Sequence, residues 1–217
     1  LNTIFMKELF AYFTAFKKRD PEFHEKFENF AFEEVFENSL LSKKESILVI
    51  LASLIGCQSP KAFKKILKAS LDMDITPVEV KQLLYQSVVY VGFGKAHNFF
   101  GVVSKVFDMK DIEYPLESQY VAKDEVNKNH FESFCFDDIY DGGLSECEKQ
   151  LIAFSLLVSH GGCENQLESN IESNLAVGND GEKLISVLRA ILPYIGVPRA
   201  SNALEKCASF RQLKQTN

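Results

Sequence analysis

Residues 41–55 read LSKKESILVILASLI, and residues 144–158 read LSECEKQLIAFSLLV. Each stretch opens with a serine and places a glutamate three positions later: Ser42 with Glu45, and Ser145 with Glu148. That spacing is a capping box. The serine hydroxyl accepts from the glutamate's backbone N–H, and the carboxylate reaches back to the serine N–H. An apolar-rich run of about 13 residues follows each box without period-two alternation, which predicts a helix rather than a strand. The first run is expected to stop at Gly56 and the second at Gly161–Gly162, because glycine commonly ends helices.

The correspondence continues on both sides. FENFAFEEVFE from Phe27 is answered by FESFCFDDIYD from Phe131, and YVGFGKAHN from Tyr90 by YIGVPRASN from Tyr194, each pair 104 positions apart. Two copies are too few for an open solenoid, so the chain reads as a duplicated module. The copies span 27–108 and 131–211, with a helical extension at 1–26 and a polar linker at 109–130. The extension carries Phe5, Leu9, Phe13 and Phe16 at helical spacing. Within each copy a second helix is expected from Ser59–Pro60, or from Gly162 as N-cap with Cys163 first. A third opens at Thr76–Pro77 with Glu79 completing another capping box, or at Asp180, and ends at Gly92 or Gly196. A fourth begins after Gly94, or at Pro198. The expected fold is all-α, built from two pseudo-repeated helical modules.

Composition narrows the function. Apolar residues make up 46% of the 217, enough for a substantial core. The net charge of −6, with acids and bases interspersed, argues against nucleic acid as a partner. No run approaches a membrane span, and the N-terminus lacks the basic-then-apolar pattern of a signal peptide. Five cysteines without a CxxC pair suit a reducing cytoplasm and disfavour a zinc site. No nucleotide loop, metal-ligand cluster or haem motif is present, so neither cofactor nor metal is expected.

The candidate chemistry gathers at the helix junctions. Glu45 and Glu148 hold one repeat position; each is either the third residue of a capping box or a general acid/base carboxylate. His160 and Cys163 flank two glycines. Cys163 at a helix start gains from the dipole and exposed N–H groups, which favour a thiolate, and His160 could shuttle protons. The alternative is a surface histidine beside a plain glycine cap. In the first copy Cys57 replaces His160 and Pro60 replaces Cys163, while Lys64 and Lys65 beyond it read as a solvated face. Glu148 and His160 lie 12 residues apart on one helix, roughly 18 Å, so they cannot meet within it. Tyr90 and Tyr194, with Asn98 and Asn202, share the pattern Tyr-aliphatic-Gly-x-x-basic-Ala-x-Asn. It serves either as a packed turn or as a substrate wall. His97 has no counterpart, since Ser201 stands there, and could mark a functional copy.

Residues 20–56 followed by ITPVEVKQLLYQSVVYVGFGKAHNFF, 75–100, resemble the carboxymuconolactone decarboxylase family, which includes the alkylhydroperoxidase D-like proteins. The second half is similar through LIAFSLLVSHGGC and LRAILPYIGVPRASNAL. The resemblance implies an all-helical fold and a homotrimer equivalent to a hexamer of single modules, with sites near subunit interfaces. The peroxidase branch carries a glutamate, then eleven residues, Cys-x-x-Cys, three residues and a histidine. Here the second copy offers Glu148, His160 and Cys163, with Leu167 in the last place; the first offers Glu45, Cys57 and Pro60, with Lys64. The dithiol is incomplete in both, and a two-cysteine cycle needs both thiols.

Three functions follow as expectations. The first is cofactor-free acid/base chemistry on a small carboxylated or lactone substrate. Glu148, His160 and His97 would carry protons, and Arg199 would clamp a carboxylate. The second is a thiol peroxidase at Cys163 served by an external thiol reductant. The third is a non-catalytic oligomeric binding protein.

Overall fold

A computed structural model describes residues 17–114 and 143–215 of the chain. The apolar stripe at Phe5–Phe16, most of the 109–130 linker and the second-copy stretch 131–141 lie outside the described residues. Among those described there are nine α-helices, one short 3-10 turn and no strand. Helix α1 (Pro21–Phe32) runs from the N-terminal extension into the first copy, which adds the 3-10 turn Glu34–Phe36, α2 (Lys43–Gly56), α3 (Pro60–Ser70), α4 (Pro77–Val91) and α5 (Phe93–Met109). The second contributes α6 (Glu146–His160), α7 (Glu164–Ala176), α8 (Gly181–Ile195) and α9 (Val197–Gln215).

The expected caps are in place. Both serine boxes and the Thr76–Glu79 box close reciprocally, and the Asp180 carboxylate accepts from Lys183 N at 2.8 Å. Gly92 and Gly196 are the C-caps of α4 and α8. Three boundaries differ from expectation, the simplest being α9, which opens at Val197 rather than Pro198. Cys163, not Gly162, is the N-cap of α7, because Gly161 and Gly162 both take left-handed φ (73° and 71°) and lengthen the turn by one residue. Helix α5 already begins at Phe93, so Gly94 lies inside it.

Helices α2 and α6 form the centre. Every residue of α2 from Ser46 to Gly56, and every residue of α6 from Leu151 to Ser159, is buried. A helix apolar all round must be covered all round. The two run parallel and in contact at both ends. Lys44 Nζ meets Glu148 Oε1 at 2.9 Å at the N-terminal end, and Gly56 lies against Ser159 at the C-terminal end. Gly56 is therefore not a left-handed stop. It is the last, buried residue of α2, and the C-cap Cys57 has negative φ. Its glycine identity answers to the approach of α6: a Cβ there would stand 2.6 Å from Ser159 Cβ and 3.1 Å from the Leu156 carbonyl oxygen.

The copies are interleaved, since α2 packs on α8 and α6 on α4. Polar contacts cross in both directions. Ser186 Oγ accepts from Leu40 N at 3.2 Å, Gln82 Oε1 accepts from Leu144 N at 2.9 Å, and Gln86 Nε2 donates to Lys149 O at 2.7 Å. Around this centre Phe63 of α3 meets Phe99 of α5 edge to face at 5.1 Å.

Candidate functional site

The ends of α2 and α6 do different work. At the N-terminal end the glutamates are engaged. Glu45 Oε1 pairs with Lys183 Nζ at 2.6 Å. The counterpart of Lys183 in the first copy is Glu79, so the symmetry-related place beside Glu148 holds a second acid. Lys44 stands between them, 2.5 Å from Glu79 Oε1 and 2.9 Å from Glu148 Oε1. Burial alone would push the Glu148 carboxyl up, but hydrogen bonds from Lys44 and Ser145 hold it below the usual range.

Replacing Lys44 by Met should therefore destabilise the fold by about 2 kcal/mol, less than a fully buried pair costs because Lys44 remains partly hydrated. The sign with pH follows from linkage. A lowered carboxyl pKa contributes stability above the unfolded value, and that contribution is lost as pH falls through the folded value. Denaturant melts at neutral pH and below pH 4 should show the gap between wild type and Lys44→Met closing in acid. A gap of constant size would contradict the role given to Glu148.

The C-terminal end opens on a cavity of about 230 Å3 lined by His160, Gly161, Gly162, Cys163, Arg199 and Asn202, with Glu164 and Leu167 among its remaining walls. Arg199 reaches it from the first turn of α9, and its Nη1 donates to the carbonyl of Ser159. The guanidinium lies against Gly161, where a Cβ would be 3.4 Å from Arg199 Nε. His160 ends α6, with Nδ1 3.3 Å from Lys95 Nζ of the first copy. Burial, then the charges of Lys95 and Arg199, depress the His160 pKa, so the ring is neutral at pH 7. Cys163 donates its thiol to Leu157 O at 3.3 Å. Burial and the neighbouring Glu164 push that thiol up, against one backbone hydrogen bond from Gly161. The direction is opposite to the one its place at a helix start favours, with burial the main cause and Glu164 the second.

The cavity thus gathers His160, Cys163 and Arg199, and leaves the other candidates elsewhere. Glu45 and Glu148 sit at the opposite helix ends. Cys57 caps α2 beside the junction; burial raises its thiol pKa, with Arg199 pulling the other way. His97 is exposed on α5 and packs on Phe93, ring centroids 5.9 Å apart. Tyr90 and Tyr194 pack on the core and line no part of the cavity. The Tyr194 hydroxyl is buried without a hydrogen-bond partner, and burial drives its pKa up. Lys64 and Lys65 are half-buried rather than fully solvated. Among the described residues no group of three or more His, Cys, Asp or Glu could hold a metal, and no helix is long and apolar enough to cross a membrane.

Sequence reasoning missed Lys95, although it occupies the basic place of the shared Tyr-Gly pattern where Arg199 stands in the second copy. Each of these two cations reaches the other copy's junction: Lys95 meets His160, and Arg199 acts on Cys57.

A duplicated all-helical chain with a small-molecule-sized cavity at one glycine junction defines a class of tandem helical-repeat proteins. Within it, this chain belongs to the carboxymuconolactone decarboxylase family, whose model matches residues 21–105 and again 127–206. The fold is accordingly of the carboxymuconolactone decarboxylase or alkylhydroperoxidase-like kind. Comparison with curated proteins finds no match.

Proposed function

We propose that the chain is a cofactor-free acid/base enzyme acting on a small carboxylated lactone. The observation that carries this reading is one cavity shared by the Arg199 guanidinium and a neutral His160. A guanidinium fits a carboxylate through two parallel hydrogen bonds. A neutral imidazole has a proton to give and a site to take one. In the reaction the bond to the departing carboxylate breaks, its electron pair enters the unsaturated lactone, and a proton arrives at carbon as CO2 leaves. Glu148, tied to Lys44 at the far end of α6, takes a structural part in this reading. Homotrimeric assembly and a cytoplasmic location belong to the same proposal; exposed Phe93, Val197 and Leu204 are suited to contacts between copies.

The test is CO2 release from a carboxymuconolactone by wild type, Arg199→Ala and Cys163→Ser. Arg199→Ala should lower kcat/KM roughly 30-fold, the worth of a charge-assisted hydrogen bond, and Cys163→Ser should keep wild-type turnover. The competing reading is a thiol peroxidase, since Cys163 lies in the same cavity. If wild type ignores the lactone but consumes an organic hydroperoxide, and Cys163→Ser abolishes that, the decarboxylase reading is wrong.

A further inference from the structure

The contact between Lys95 and His160 joins two helices from different copies, α5 and α6, at the rim of the cavity. An ammonium group has three donors and no acceptor. At the 3.3 Å separation it can only donate to His160 Nδ1, which must then present a lone pair. A neutral ring that accepts at Nδ1 carries its proton on Nε2. Lys95 does not line the cavity, whereas His160 does. The lysine therefore works behind the ring, on its Nδ1, rather than on a ligand.

We infer that Lys95 is a positioning residue: it fixes His160 as the Nε2–H tautomer and makes the ring a proton donor toward the bound lactone. This rests on the decarboxylase reading above for its substrate, but not for its tautomer. A neutral imidazole that simply lost its Nε2 proton would become an anion. Lys95 removes that obstacle. As Nε2–H passes to the substrate carbon, Lys95 Nζ–H passes to Nδ1, so the ring stays neutral and the lysine becomes an amine. Water protonates the vacated Nε2, and Nδ1 returns its proton to the exposed lysine. One proton is taken from water for each CO2 released.

The charged and titratable groups around His160 agree with this assignment. Lys95 from α5 and Arg199 from α9 are both cations and oppose an imidazolium. Cys163 and Cys57 are thiols with raised pKa values. Glu164, which also lines the cavity, is the neighbouring anion of the junction. Arg199, the repeat counterpart of Lys95, is held on the Ser159 carbonyl, which leaves Lys95 as the cation in contact with the ring.

The test is nitrogen-15 NMR of the histidine side chains in wild type, Lys95→Met and Lys95→Arg, with His160→Gln to assign the signal. No substrate is needed, so failure of the tautomer and failure of the proposed reaction are separately visible. Wild type should show a neutral His160 with a protonated Nε2 and a bare Nδ1. Lys95→Met should raise the titration midpoint and spread the proton over both nitrogens, and Lys95→Arg should restore the wild-type pattern. With the lactone, Lys95→Met should lower kcat with KM nearly unchanged, and the loss should be confined to pH above the His160 midpoint, since an imidazolium needs no lysine to donate its proton. Lys95 is exposed, so the variant retains the core. A His160 signal indifferent to Lys95→Met, or protonated on Nδ1 in wild type, overturns the inference.

Discussion

Gly56→Val should destabilise the protein by about 3 kcal/mol, the upper part of the range for overpacking a core. The Cβ alone would stand 2.6 Å from Ser159 Cβ, where real carbon atoms do not approach. The neighbouring Leu156 oxygen, at 3.1 Å, and His160 nitrogen, at 3.2 Å, are backbone atoms that move only with α6 itself. Ser159 is wholly buried, so its side chain has nowhere to turn. The smaller change Gly56→Ala should cost less, and Ser159→Gly should recover much of that loss by clearing the same space. A double-mutant cycle in urea would show this as a coupling of about 1 kcal/mol or more between the sites. Additive effects would mean that α2 and α6 do not meet there. Because His160 ends α6 at this contact, Gly56→Ala should also disturb turnover at temperatures where it remains folded.

His160→Gln should lower kcat on the carboxylated lactone by roughly 100- to 10,000-fold, the span usual for losing a general acid. Glutamine keeps a donor and an acceptor and nearly the same reach, so binding by Arg199 survives and KM changes little. The loss then falls on the step in which a proton must reach carbon. Glutamine cannot supply it, since its amide does not titrate in this range. Stopped-flow comparison of lactone binding and CO2 release would separate the two effects. Equal loss of binding and turnover would place His160 in substrate recognition instead. Turnover close to wild type would remove it from the reaction.

The helices and their ends were legible because their causes are local. Ser42 with Glu45, Ser145 with Glu148 and Thr76 with Glu79 act over three residues, and the matching Tyr-Gly patterns exposed the duplication without any partner in view. What escaped was decided across the interface between copies. Gly56 read as a stop because a glycine after an apolar run commonly is one, yet its role depends on Ser159, more than 100 residues away. Glu148 read as either a cap or an acid. It is a cap in an ion pair with Lys44, and no spacing rule connects those two positions. The Cys163 thiol was read from its place at a helix start, whereas burial and Glu164 push its pKa up. Lys95 had a signal, its alignment with Arg199, but that alignment gives the kind of charge and not its destination.

The parallel pairing of α2 and α6 also bears on how such a chain can change. In a pair of identical modules related by a twofold axis, the residue at the crossing faces its own duplicate, so every substitution arrives twice. Joining the modules in one chain lifts that restriction. Gly56 stays bare while its counterpart Ser159 fills the gap, Cys57 departs from His160, and Pro60 departs from Cys163. One junction keeps a histidine that lines a cavity, and the other sets a bare Gly56 against Ser159. On the function proposed above, the two halves of the chain share the work at one junction, Lys95 of the first standing against His160 of the second.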